Sequence, residues 1–210
     1  MALLPCTELC CYAVVASIAM VVLIDALDEF TSHIAACVAA TCCPVITVGL
    51  SDATQDRLLA LRPGLVCMSP GTGEPVDYAH LCRLFASLHC VVSIMVVCLG
   101  HQVVCSVLGG RVATGRCSVH GRQCSVFYDG AGLLYGVPQG FMAGSYYCLT
   151  VWRYPAHGMR VCAWSACCSV MAVRHASLPT QCVQFHPESE FTQYRGAIFA
   201  NMVSQALVST

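Results

Sequence analysis

The sequence predicts an α/β fold: a central, mostly parallel sheet flanked by helices, with a small antiparallel β portion in the second half. Three observations lead there. Short apolar runs alternate with longer segments whose apolar residues recur at helical spacing, the pattern of strands joined by crossover helices and buried on both faces. Beyond Gly109-Gly110 the runs become β-type and are broken by Gly, Pro and Asp, as in hairpins. At 210 residues, 57% of them apolar and 10% charged, the chain is long enough to bury one substantial core.

Taken in order, residues 20–24 read as a buried strand that stops at Asp25. Asp28-Glu29-Phe30-Thr31 begins a helix reaching about Ala40, with its acidic residues placed where the macrodipole favours them. Residues 45–48 form a second strand, after which Ser51 and Asp52 cap a helix through Leu61 that Arg62-Pro63-Gly64 ends. Residues 65–68 form a third strand, closed by Ser69-Pro70-Gly71-Thr72-Gly73-Glu74-Pro75. A helix over 76–88 leads to a strand that starts at Val91 and stops at Cys98, where the next helix begins. Strands are expected over 111–127, 146–152, 160–163, 169–173 and 181–185, and a closing helix over 193–207. In parallel sheets ligands gather at the carboxyl ends of the strands, so Asp25, the 69–75 segment and Cys98 are expected to face one crevice.

Composition excludes several functions. All ten basic residues are Arg and the formal net charge is −1, so no basic patch points to nucleic acid or to an anionic membrane. Eighteen cysteines form neither C-x-x-C pairs nor Cys/His groups at zinc spacing, so neither a metal nor a cofactor is expected. Most read as small core hydrophobes in a reducing, cytoplasmic setting. The uncharged run from Leu9 to Ile24 has 16 residues, short of the ~20 that a spanning helix needs. No basic residue precedes Arg57, which argues against a signal peptide. Residues 1–19 are therefore expected to be a leader or linker, and 20–208 the domain.

Cys98 stands at a strand-to-helix bend, beside the N–H groups of a helix N-terminus, where the dipole favours negative charge. A nucleophilic thiol needs a base, and the base needs a partner to orient it. His186 and Glu188 supply both, with Pro187 stiffening the spacing between them. His101 and His120 have no evident proton-transfer task and read as structural.

Cys98-Leu99-Gly100-His101-Gln102, Phe185-His186-Pro187-Glu188-Ser189 and the 69–75 segment together resemble a class I (triad) glutamine amidotransferase, over about Val21 to Val203. Residues 24–31, His120-Gly121-Arg122 and residues 170–175 resemble the amidotransferase component of synthases that use chorismate: anthranilate, aminodeoxychorismate and the phenazine-pathway aminodeoxyisochorismate enzymes. The resemblance implies a flavodoxin-like sheet, glutamine as substrate and a synthase subunit or fused domain as partner. It implies that Cys98 forms a glutamyl thioester, that His186 and Glu188 complete the triad, and that the N–H groups of Gly71 and Leu99 form the oxyanion hole. Pro70, Gln102, Cys148 and Leu149 then hold the substrate. Five positions depart from the family pattern: Val96 where Gly is usual, Thr72 where Pro is usual, Ala26 for a frequent Asn, and Tyr147-Cys148 for a His and a Ser. These departures motivate a weak or inactive homologue kept as an interaction subunit, and the triad also suits a stand-alone γ-glutamyl hydrolase.

Overall fold

Strands without a polar face must lie between two layers, and the first half of the chain obeys this. In the computed structural model, which describes residues 20–152 and 157–208, β1 (Val21–Asp25), β3 (Leu65–Met68) and β4 (Ser93–Val97) are buried along nearly their whole length. β2 (Val45–Gly49) is half exposed because it forms the sheet's edge. The helices are α1 (Phe30–Ala39), α2 (Gln55–Ala60), α3 (Ala79–Leu88), α4 (Leu99–Val107) and α5 (Arg195–Val208). Val21 and Leu23 of β1 join one core with Met95, Val97 and α5 residues Ile198 and Phe199. Val22 and Ile24 join the other, with Ile94, Val96 and α3 residues Leu81, Leu84 and Phe85.

The second half continues the same sheet. β5 (Val112–Tyr128), β6 (Phe141–Val151), β7 (Met159–Ser165), β8 (Val170–His175) and β9 (Thr180–Val183) complete nine strands in the order β2-β1-β3-β4-β9-β8-β7-β5-β6. β2, β1, β3, β4 and β9 are parallel, and the remaining neighbours pair antiparallel. The helix-flanked α/β architecture is the expected one. β5 matches the expected 111–127 to within one residue, whereas β6 runs for 11 residues and starts at Phe141, earlier than the expected 146. The carboxyl ends of β1, β3, β4 and β9 share one edge, where the crevice forms. No helix among the described residues is long and apolar enough to cross a membrane. The expected leader over 1–19 lies outside the described residues.

Several boundaries differ from the sequence reading, three of them with a visible cause. α1 starts at Phe30, so Asp28 and Glu29 precede it, and the Asp28 carboxylate accepts the Phe30 N–H at 2.8 Å. Ser51 and Asp52 lie in a separate 3-10 turn, and it is Thr54 whose side chain accepts the Arg57 N–H and caps α2. Val91 does not open β4. Its N–H and that of Val92 both donate to the Leu88 carbonyl and close the end of α3, leaving Val91 58% exposed.

Val96 is accommodated rather than crowding the bend. It is fully buried in β4, paired with Met68 and Cys182, and its Cβ lies 2.9 Å from where a Cβ on Gly100 would be. A β-branched residue fits there because the facing helical residue has no side chain. Gly100→Ala is expected to cost about 1–3 kcal/mol by overpacking. Val96→Gly in the same chain should recover part of that loss in urea unfolding, whereas strictly additive costs would show that the two positions do not press on one another.

Candidate active site

The bend between β4 and α4 forces Cys98 into an unusual backbone. Its φ is 51° and its ψ −103°, in the region that L-residues adopt only under constraint. The constraint is visible: the Cys98 N–H donates to the Val183 carbonyl at 2.8 Å, tying the bend to the end of β9. Leu99 is the first residue of α4, so its N–H has no acceptor one turn earlier in the helix.

The chain leaving β9 delivers His186. Its N–H donates to the Gly144 carbonyl at 2.9 Å, and the Thr192 hydroxyl donates to its carbonyl at 2.5 Å. Gly144 is required by close approach, since a Cβ there would lie 2.7 Å from Ser189 Oγ. The imidazole packs against two rings, Phe30 at 4.6 Å and Tyr146 at 5.0 Å between centroids, which also pack on each other at 5.1 Å. Nδ1 is 2.7 Å from Glu188 Oε1, and both side chains are almost wholly buried. Nε2 makes no hydrogen bond of good geometry, while Sγ of Cys98 lies near enough to the imidazole to interact with it. Such contacts in unliganded sites often close only when substrate binds.

Burial opposes charge on His186, yet the neighbouring Cys98 and the bonded Glu188 carboxylate outweigh it and raise its pKa to about 10. The folded state therefore binds a proton that the unfolded chain releases near its ordinary value of 6.5. This stabilisation is complete below about pH 6.5 and is lost as pH rises towards 10. Under reducing conditions the chain should lose more unfolding free energy across that interval than His186→Asn does. Parallel pH profiles for the two proteins would contradict the assignment.

The 69–75 segment closes the opposite wall. Ser69 Oγ accepts the Ala26 N–H and donates to the Pro70 carbonyl, and the Tyr78 hydroxyl donates to the Thr72 carbonyl at 2.8 Å. The bond to Thr72 uses its backbone, so the usual Pro is not needed for it. A Cβ on Gly71 would meet Leu99 Cδ2 at 2.5 Å and the Tyr78 hydroxyl at 2.8 Å, which explains the glycine.

A cavity of about 680 Å³ opens between these walls. Pro70, Gly71, Cys98, Leu99, Gln102, Cys148, Leu149 and His186, all expected at the site, line it. Glu188 lies behind His186, and Asp25 does not reach the cavity. Asp25 instead accepts the Leu27 N–H and the Thr31 hydroxyl, both at 2.8 Å, and holds the turn that carries Leu27 to Phe30 to the rim.

Sequence reasoning assigns no role to Phe30, Tyr146 or Gln184. The first two meet His186 from elements far apart in the chain, which local pattern cannot show. Gln184 lies beside Cys98. His120, read as structural, also lines the cavity, edge-on to Tyr146 at 5.9 Å. His101 is fully buried and does not line the cavity, and burial lowers its pKa to about 4. Among the described residues no cluster of His, Cys, Asp and Glu is placed to hold a metal ion.

The family model described as glutamine amidotransferase class-I matches residues 22–206. The chain is 32% identical, over 189 residues, to a protein of Azospirillum brasilense named anthranilate synthase component 2, across 88% of this chain and 95% of that one. It is 39% identical over 151 residues to an aminodeoxychorismate synthase of Streptomyces griseus, a stretch making up 68% of this chain and 20% of that protein. A solved structure from Thermoplasma acidophilum, described as a GMP synthase subunit, superposes with a TM-score of 0.79 at 18% identity, covering 91% of this chain and 96% of that one. At that identity the likeness is one of fold.

Proposed function

The chain belongs to the class I glutamine amidotransferase family, and from that premise we propose that it hydrolyses glutamine through Cys98, His186 and Glu188 and passes the ammonia to a chorismate-utilising synthase. Residues 20–208 are the amidotransferase domain in this reading. The observation that carries it is a buried His186-Glu188 pair joined at 2.7 Å, with the free imidazole nitrogen and Cys98 at the same cavity.

The steps follow from those positions. Cys98 Sγ attacks the side-chain carbonyl carbon of glutamine while His186 holds the thiol proton. The N–H groups of Gly71 and Leu99 receive the negative oxygen. His186 returns the proton to the departing nitrogen, which leaves as ammonia, and a glutamyl thioester remains. Water then attacks the thioester, His186 takes its proton, and glutamate leaves with the thiol restored. Glu188 keeps the imidazole in one orientation throughout. Gln102, Pro70, Cys148 and Leu149 hold the amino-acid end of glutamine.

The relatives named anthranilate synthase component 2 and aminodeoxychorismate synthase support a synthase partner. In this reading the chain works in the reducing cytoplasm, where the buried thiols of Cys67, Cys105 and Cys162, each pushed up to about 12 by burial, stay protonated core groups. Mixing the chain with a chorismate-utilising synthase and amide-¹⁵N glutamine is expected to place ¹⁵N in the aminated product. Product free of ¹⁵N while glutamate accumulates would favour a stand-alone hydrolase. Absence of both would favour an interaction subunit.

A further inference from the structure

Gln184 is fully buried at the end of β9, and its own N–H donates to the Met171 carbonyl of β8 at 2.8 Å. Its side chain meets His101, Cys98 and Gln102. Nε2 lies 3.7 Å from Cys98 Sγ, within range of an N–H···S bond, and Oε1 lies 3.4 Å from Gln102 Nε2. Gln102 Nε2 also donates to the Leu149 carbonyl at 3.0 Å.

The chemistry fixes the direction of this chain of amides. A carbonyl only accepts, so Gln102 must turn its amino group towards Leu149. That same group faces Gln184, whose oxygen must therefore face Gln102. The Gln184 amino group is left pointing at the sulfur. The sulfur thus has the Gln184 amide on one side, while His186 stands near enough to interact with it from the cavity. His101, nearby, is kept neutral by burial and brings no charge to the amide.

We propose that Gln184 is a positioning residue, whose amide holds the Cys98 sulfur on the side away from solvent and couples it to the Gln102-Leu149 wall that receives the substrate. This rests on Cys98 being the nucleophile. A donor aimed at sulfur steadies negative charge there before attack, at a bend whose backbone is already held under constraint. The coupling gives substrate binding a route to the nucleophile: movement of Gln102 shifts the oxygen that orients Gln184.

The test compares Gln184→Met, which keeps length but removes the donor, with Gln184→Glu, which keeps shape but turns an acceptor to the sulfur. Met is expected to lower kcat about tenfold, the order of a hydrogen bond to a charged group, with KM for glutamine within about twofold. Glu should lower kcat at least as far as Met. Packing alone predicts the reverse ranking, because Glu is the closer match in shape. Should Met unfold the chain, Gln184→Asn withdraws the donor by one methylene and serves in its place.

Labelling of Cys98 by a glutamine-derived chloromethyl ketone, mapped by peptide mass, separates two kinds of failure. An unlabelled Cys98 in the unaltered protein overturns the nucleophile assignment. A labelled Cys98 whose rate is unchanged by either substitution overturns the role of Gln184 alone, as does a Glu variant faster than Met. Additive effects of Gln102→Leu and Gln184→Met would overturn the coupling.

Discussion

Cys98→Ala is expected to lower glutamine hydrolysis at least about a thousandfold, because it removes the atom that forms the thioester. The fold should survive. Cys98 is 7% exposed, its backbone is held by the bond to Val183, and loss of one sulfur leaves a small void open to the cavity. A melting temperature within a few degrees of the unaltered protein would exclude unfolding as the cause. Amination by the partner synthase should persist with added ammonium salts, since that route bypasses the thiol. Hydrolysis that survives the substitution would move the nucleophile elsewhere, and Cys148 is the exposed thiol that lines the same cavity.

Glu188→Gln is the second large effect. The variant is nearly isosteric, so packing in the buried pair is kept, yet an amide facing Nδ1 no longer selects the tautomer whose Nε2 can take a proton. A fall in kcat of about a hundredfold to ten-thousandfold is expected, with KM for glutamine little changed because Glu188 does not line the cavity. Losing the carboxylate also removes a group that raises the His186 pKa, so protonation of His186 should shift to lower pH. An NMR titration of His186 would follow it directly, and an unmoved titration would show that the two side chains do not interact as their 2.7 Å separation requires.

Much of this site is legible along the chain because its parts lie at ends of elements. Apolar runs mark β1, β3 and β4, and the residues just past each run necessarily sit at the sheet's carboxyl edge. That is why Gly71, Cys98 and His186 can be placed together from the sequence. Residues that meet only through pairing are not legible. Phe30 and Tyr146 pack against His186 from α1 and β6, and Gly144 is small because Ser189 approaches it, which no local spacing reveals.

Boundaries fail where several residues compete for one task. Ser51, Asp52 and Thr54 are all good caps, and the 3-10 turn over Leu50–Asp52 hands the task to Thr54. β5 keeps its expected length through Gly121 because register shifts against β6 absorb the irregularity there. Val96 misleads for another reason. Its fit depends on Gly100, four residues along and on the facing side of the bend.

The central claim is that Cys98 becomes acylated by glutamine. Rapid acid quench of the protein turning over glutamine, followed by peptide mass mapping, tests it most directly. The predicted result is one glutamyl group on the peptide carrying Cys98 and none on the peptide carrying Cys148, with the adduct absent in Cys98→Ala. A glutamyl group on any other cysteine while Cys98 stays unmodified would contradict it.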